Sequence, residues 1–333
     1  MSSNTVPTPE SSPLHATAHT GSHSTRTLVI VAFAAVYFIW GSTYFAIRIA
    51  VGSIPALLVP AIRHLSVGLV FYPLFRFKSK EKPTITQWIT CAITGVLLLA
   101  VGNGTVSWAE KFVPSGLAAL LVATVSLWMV LLDWLRPGGI RPPPRVFAGI
   151  VLGLLGLALL VGPAQLGVKD RVSPLGALML TIASLAWACG SIYSRHHPLP
   201  RSPLLGVAMQ CLAGGGTLLI AAVASGELNG FHWAQVSVRA YVAVFYLAIF
   251  GSAIGYSAYV YLLKHSSATS LSTYAFVNPV VALLIGWGLG GEELSVRTLV
   301  ASAVILSAVI LVITGRKQSP TSADETVPAA GEA

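Results

Sequence analysis

One ionisable side chain stands where charge is costly. Arg63 lies inside the apolar run LLVPAIRHLSVGLVFYPLF, Leu57 to Phe75. A guanidinium in such a run must be paired or hydrated, which makes it a functional residue by default. Its fork suits a carboxylate held by two parallel hydrogen bonds. It could therefore hold the anionic end of a solute, or it could brace backbone carbonyls or the loop acid Glu110. His64 points to another face of the same helix and is a weaker proton-carrying group.

A second constellation is aromatic. Trp40, Tyr44, Trp108, Trp128, Trp187, Tyr193, Tyr256, Tyr259 and Tyr274 lie in six different apolar runs or at their ends. Rings converging on one cavity would suit an apolar or ring-bearing solute with few polar contacts; taken singly, each could equally be packing. Trp88, Trp134 and Trp233 sit where interfacial anchors belong. Asn103, flanked by Gly102 and Gly104, offers an amide where a neighbour can approach closely. Asn278 adds another amide, directly before Pro279 inside an apolar run. A proline there removes one backbone hydrogen bond and frees a carbonyl, and in lipid such a break must face protein or water. Asn278 and Pro279 therefore mark a binding site and a hinge. Glu110 and Lys111 are expected to form an ion pair in a tight turn, and Asp133 to bridge Arg136.

Other chemistry lacks residues. No GxxxxGK[ST] loop is present for nucleotide binding, and no HExxH or GxSxG for hydrolysis. Cys91, Cys189 and Cys211 lie in apolar runs without metal spacing, and His15, His19 and His23 sit in a polar tail. No cofactor and no metal are expected.

The elements that position these residues follow from composition. Of 333 residues 55% are hydrophobic and 9% charged, against roughly 25% charged in a soluble domain. Apolar windows of about 20 residues, enough to cross a bilayer, recur from end to end. The chain reads as an all-α integral membrane protein of ten transmembrane helices. The expected spans are residues 28–47, 59–75, 88–106, 115–134 and 146–161, then 174–193, 203–224, 242–263, 268–288 and 298–314. The net charge of +9 is spread singly through loops, which argues against a nucleic-acid partner. Arg76, Lys78, Lys80 and Lys82, with Arg136, Arg141 and Arg145, collect on one side. The positive-inside rule makes that side and both termini cytoplasmic.

Two halves are expected. Leu28, Trp40 and Arg48 recur at one constant offset as Leu175, Trp187 and Arg195. Gly102, Lys111, Trp134 and Gly138 recur at a slightly larger one as Gly255, Lys264, Trp287 and Gly291. Five spans per half invert the second half relative to the first, the arrangement in which transporters bind substrate between repeats. The organisation is a disordered tail 1–26, a first repeat 27–162, a linker 163–173, a second repeat 174–315 and a tail 316–333. Spans one, three, four, six, eight and nine are expected to line the cavity. Partners are a small-molecule substrate and the lipid bilayer; monomer and homodimer are not distinguished. A membrane enzyme on a lipid or prenyl substrate, or a non-transporting scaffold, are the competing readings. The first would need acids or histidines converging at one depth, and the second a soluble domain.

The order of Trp40-Gly41-Ser42-Thr43, Arg63, the AWACGSIYSR run from Ala186 to Arg195, Asn278-Pro279 and Gly290-Gly291-Glu292-Glu293-Leu294 resembles the ten-helix EamA-like members of the drug/metabolite transporter superfamily. The resemblance covers about residues 27–315. It implies the 5+5 inverted fold and export of metabolites or drug-like solutes across a bacterial inner membrane; without a nucleotide loop the expected mode is secondary transport by alternating access, with proton coupling as an option. It also implies a proline where Ser126 stands, so that only the second half is expected to keep its helix break at Pro279.

Overall fold

The computed structural model describes residues 20–137, 141–161, 173–266 and 273–315. Most of both tails, the linker and the start of the ninth expected span lie outside the described residues. Seven helices are long and apolar enough to cross a bilayer: α1 (Arg26–Val51), α2 (Leu58–Ser79), α3 (Ile85–Ala109), α4 (Ser115–Leu135), α6 (Pro174–His196), α7 (Pro203–Ala224) and α8 (Val238–Leu262). Among the described residues three further apolar helices are shorter, α5 (Pro144–Val161), α9 (Tyr274–Gly290) and α10 (Val296–Gly315). The described residues contain no strand. The first helical turn begins at Thr20, within the segment expected as tail.

Local sequence sets the helix ends. Thr84 and Gln87 form a reciprocal capping box at α3. Ser173, Ser202 and Ser237 cap α6, α7 and α8 from their hydroxyls, and Pro174 and Pro203 occupy first-turn positions that need no amide hydrogen. Gly291 ends α9 at φ +63°, where a Cβ would be strained. Leu69, Phe77, Val238 and Leu289 are exposed on the outer faces, a surface suited to lipid.

Packing pairs the halves element by element. The most extensive contacts join α2 to α7 and α5 to α10, and α4 packs on α9. Further contacts come in matched sets: α1 on α8 with α6 on α3, α1 on α9 with α6 on α4, and α2 on α8 with α7 on α3. Small residues allow this. A Cβ on Gly68 would lie 2.9 Å from the Leu212 backbone nitrogen, and one on Gly215 would lie 2.8 Å from that of Leu65. Both partners stand at the offset that relates Trp40 to Trp187. Two loop acids repeat the exchange. Glu81, after α2, accepts the Arg201 and Ser202 amides at the start of α7, at 2.9 and 3.0 Å. Glu227, after α7, accepts the Leu57 amide at the start of α2, at 2.9 Å.

The α2–α7 crossing is therefore without spare room. Gly215→Ala is expected to lower the thermal unfolding midpoint of the purified protein in detergent, since overpacking costs about 1–3 kcal/mol. Gly216→Ala, whose added Cβ meets nothing within 4 Å, should leave the midpoint unchanged or raise it. Equal midpoints for the two variants would contradict this account of the crossing.

Candidate functional site

Where the halves meet, the helices are not regular. α1, α3 and α8 each contain a stretch of wider π turn, at Ala35–Ile39, Val96–Asn103 and Leu247–Tyr256. α4 is interrupted between Val122 and Val125. Each irregularity turns carbonyls away from the ordinary helical ladder, and in lipid those carbonyls need donors.

Side chains supply them, mostly from the opposite half. In α8 the Gly251 carbonyl accepts the Trp40 indole N–H at 3.1 Å. In α1 the Val36 and Tyr37 carbonyls accept the Asn278 amide at 3.3 and 3.1 Å, with its nitrogen turned toward α1. In α4 the Leu121 carbonyl accepts the Thr124 hydroxyl at 2.6 Å, and the Ser184 hydroxyl of α6 lies 3.4 Å from the Leu121 and Val122 carbonyls. In α3 the Asn103 amide turns back to the Leu98 carbonyl at 3.4 Å. The Ser42 and Tyr246 hydroxyls join α1 to α8 at 2.6 Å.

These breaks surround a cavity enclosing about 80 Å³ of water-accessible space. Trp40 and Trp187, equivalent positions of the two halves, meet edge to face with ring centroids 5.9 Å apart. Tyr259 and Tyr274 flank Trp40 at 5.1 and 5.6 Å. Arg63 lines the same cavity, 5% exposed, and its Nε donates to the Ser252 hydroxyl at 2.8 Å. Among the described residues no carboxylate lies within salt-bridge distance of it. Gly251 makes room for the guanidinium, because a Cβ there would approach its Nη2 to 3.0 Å.

The two ends of the cavity differ. At one end, Glu292 accepts the Ser115 amide and hydroxyl at 2.7 Å and the Gly116 amide at 3.1 Å. Arg48 donates to the Val113 carbonyl at 2.9 Å and lies 3.6 Å from Glu292. These contacts lace α1, α4 and the link after α9 together. Toward the other end lies a second cavity of about 420 Å³ with Thr94, Ser191, Gln210 and Tyr259 in its wall. Tyr256 lines both spaces and donates its hydroxyl to Gln210.

Trp40, Tyr44, Arg63, Asn103, Trp187, Tyr256, Asn278 and Pro279 are thus brought to the central cavity. Tyr259 faces the second cavity, and neither Trp108 nor Trp128 lines either one; Trp108 instead packs edge to face on Phe112 at 5.0 Å. Four expectations are corrected. His64 lines the cavity beside Arg63, because both reach Ser252, the imidazole Nδ1 at 3.4 Å. α2 therefore joins the six helices expected around the cavity. α9 runs unbroken through Pro279, whereas α4 breaks near Ser126 without a proline. Glu110 forms no ion pair with Lys111: its carboxyl is buried and Lys111 is exposed. The Asp133–Arg136 bridge is present at 2.8 Å. Sequence reasoning passed over Ser252, a small hydroxyl inside an apolar run. Among the described residues no group of histidine, cysteine and acidic side chains could hold a metal.

An apolar helical bundle whose broken helices enclose a polar and aromatic cavity is the build of a membrane transporter. The EamA-like transporter family model matches this chain twice, over residues 27–162 and 174–314, and the chain belongs to that family. It is 41% identical over 287 residues to the uncharacterized inner membrane transporter YedA of Escherichia coli, covering 86% of this chain and 90% of that one. It is 26% identical to a WAT1-related chloroplastic protein of Arabidopsis thaliana, over 83% of this chain and 67% of that one. A solved crystal structure, 20% identical, superposes with a TM-score of 0.59 over 86% of this chain and 97% of the other, a likeness of fold.

The Trp40 bond can be tested in isolation. Trp40→Phe keeps a ring and removes the donor to Gly251. Left without that donor, the buried carbonyl should cost the purified protein about 1–3 kcal/mol, read as a lowered thermal midpoint. An unchanged midpoint would mean that the Gly251 carbonyl finds another partner.

Proposed function

We propose that the protein is a secondary transporter that moves a small organic solute across a bacterial inner membrane by alternating access. All ten helices cross the bilayer, as two inverted five-helix repeats over residues 27–162 and 174–315, with both termini cytoplasmic. The matched contacts of α1 to α5 with α6 to α10, the paired glycines Gly68 and Gly215 and the double family match support this reading. Membrane placement draws on the inner membrane location in YedA's name. Export is the direction that the family resemblance implies.

The observation that carries the reading is the difference between the ends of the central cavity. The Arg48–Glu292–Ser115 lacing shuts the end that the positive-inside rule places outside. The larger space beyond Tyr256 leads toward the cytoplasmic loops. This is an inward-facing arrangement. Alternation would release the lacing and close the helices around Tyr256. Arg63 meets an anionic or strongly polar group of the solute, while Trp40, Trp187, Tyr256 and the neighbouring rings hold its body. With no nucleotide-binding loop in the sequence, energy comes from a solute or proton gradient, or the protein equilibrates its substrate.

The test is solute efflux, followed by comparing metabolites released from cells carrying wild type, Arg63→Ala or Trp187→Ala at equal membrane levels. Loss of a charge-assisted contact worth about 1.5–3 kcal/mol should weaken apparent affinity on the order of ten-fold or more for at least one exported solute. Unaltered efflux of every solute by both variants would refute the site.

A further inference from the structure

The turn after α3 holds a carboxyl group that the transport reading does not use. Glu110 is 1% exposed; neither carboxyl oxygen makes a well-formed hydrogen bond, and the Arg48 backbone amide is the donor that approaches it. Three other loop acids, Glu81, Glu227 and Glu292, bind helix-start amides. A buried carboxylate with so little hydrogen bonding is a costly state, and a neutral carboxylic acid is the cheap one. Burial pushes the Glu110 carboxyl well above the usual carboxylate range; Arg48 and Arg63 pull against it and Glu292 adds to it.

Its surroundings belong to the shut end of the cavity. α1 presents Tyr44 and Arg48, α2 presents Arg63, and the link after α9 presents Glu292. The half of α6 nearest this turn, residues 174–187, carries no ionisable side chain. Lys111 faces solvent, and Glu227 is engaged with Leu57. Arg48 is thus shared. Its guanidinium holds Val113 and Glu292, and it is also the strongest positive influence on Glu110. While Glu110 is neutral, Arg48 stays in the lacing. A charged Glu110 would compete with Glu292 for Arg48 and would require water.

We propose that Glu110 is a proton-binding site of the transport cycle. Its carboxylate takes one proton from the outer aqueous phase as the outer end closes and returns it when that end opens. One O–H bond forms on a carboxyl oxygen at closure and breaks at opening; no electrons move. The proposal rests on the transporter reading and on the Glu292 end facing outward. Its sign is fixed: protonation favours the shut outer end, so acid outside closes it, and rising pH opens it as Glu110 ionises.

The experiment reads distances without any solute, so it can fail independently of the efflux test. Full-length protein, with Cys91, Cys189 and Cys211 replaced by alanine, is spin-labelled at Lys111→Cys and Glu293→Cys. It is reconstituted in phosphatidylethanolamine–phosphatidylglycerol vesicles, and pulsed electron–electron distances are recorded from about pH 5 to about pH 9. In the otherwise wild-type protein the short-distance population should dominate at the acid end and fall several-fold at the alkaline end. Glu110→Gln should hold the short distance at every pH. Glu110→Asp should keep the pH dependence with a displaced midpoint, and it keeps the test decisive if the glutamine variant does not fold. A wild-type profile flat in pH would overturn the proposal. So would a Glu110→Gln profile matching wild type, or an Asp midpoint that does not move.

Discussion

A carbonyl without a donor is intolerable in hydrocarbon, and the centre of this protein is built around several of them. Each unsatisfied group costs several kcal/mol in lipid. The π turns of α1 and α8 persist because Asn278 and Trp40 reach across from the other half, while the gap in α4 is met by its own Thr124, with Ser184 of the other half alongside. The polar breaks therefore act as fastenings as well as defects. They fix which helix of one half lies against which helix of the other, and they leave a cavity at the join. Arg63 fits the same logic, since Ser252 and the bare backbone at Gly251 give its guanidinium a partner and space.

Around this centre the contacts are reciprocal, and the reciprocity bears on motion. The close α2–α7 and α5–α10 crossings, with glycines opposite backbone, resist sliding. The elements that can change state without disturbing them are the laced end at Arg48 and Glu292 and the wall at Tyr256 and Gln210. Those lacings are hydrogen bonds and one ion pair, interactions that water can replace when an end opens. Packed framework and exchangeable ends are what the proposed alternating access would require of one bundle.

Much of the framework was legible because membrane constraint writes it plainly. Apolar length marks the spans, and the constant offset of Trp40 and Trp187 marks a pair that meets in space. The site was partly legible for the same reason: a charge or amide in an apolar run, such as Arg63 or Asn278, has to have a purpose. What stayed hidden depends on backbone irregularity. Nothing in the sequence announces π turns at residues 96–103 or 247–256. The single-face geometry of a regular α-helix wrongly set His64 apart from Arg63. Proline proved a poor guide to the break, because α4 opens at a Thr124 hydroxyl while α9 stays helical through Pro279. Trp108 and Trp128 show the limit of composition, since a tryptophan in a span packs as readily as it binds. Glu110 was misjudged because an Glu-Lys pair in a turn reads as solvated until burial is known.

The claim that breaks in one half are satisfied by side chains of the other is tested most directly by hydrogen–deuterium exchange in the wild type and in Asn278→Leu. Asn278 is remote in sequence from the α1 π turn whose carbonyls it caps. The account predicts faster exchange in the peptide covering residues 35–43 of the variant, with the α5–α10 pair unchanged. Faster exchange confined to the α9 peptide itself, with residues 35–43 as protected as in wild type, would contradict it.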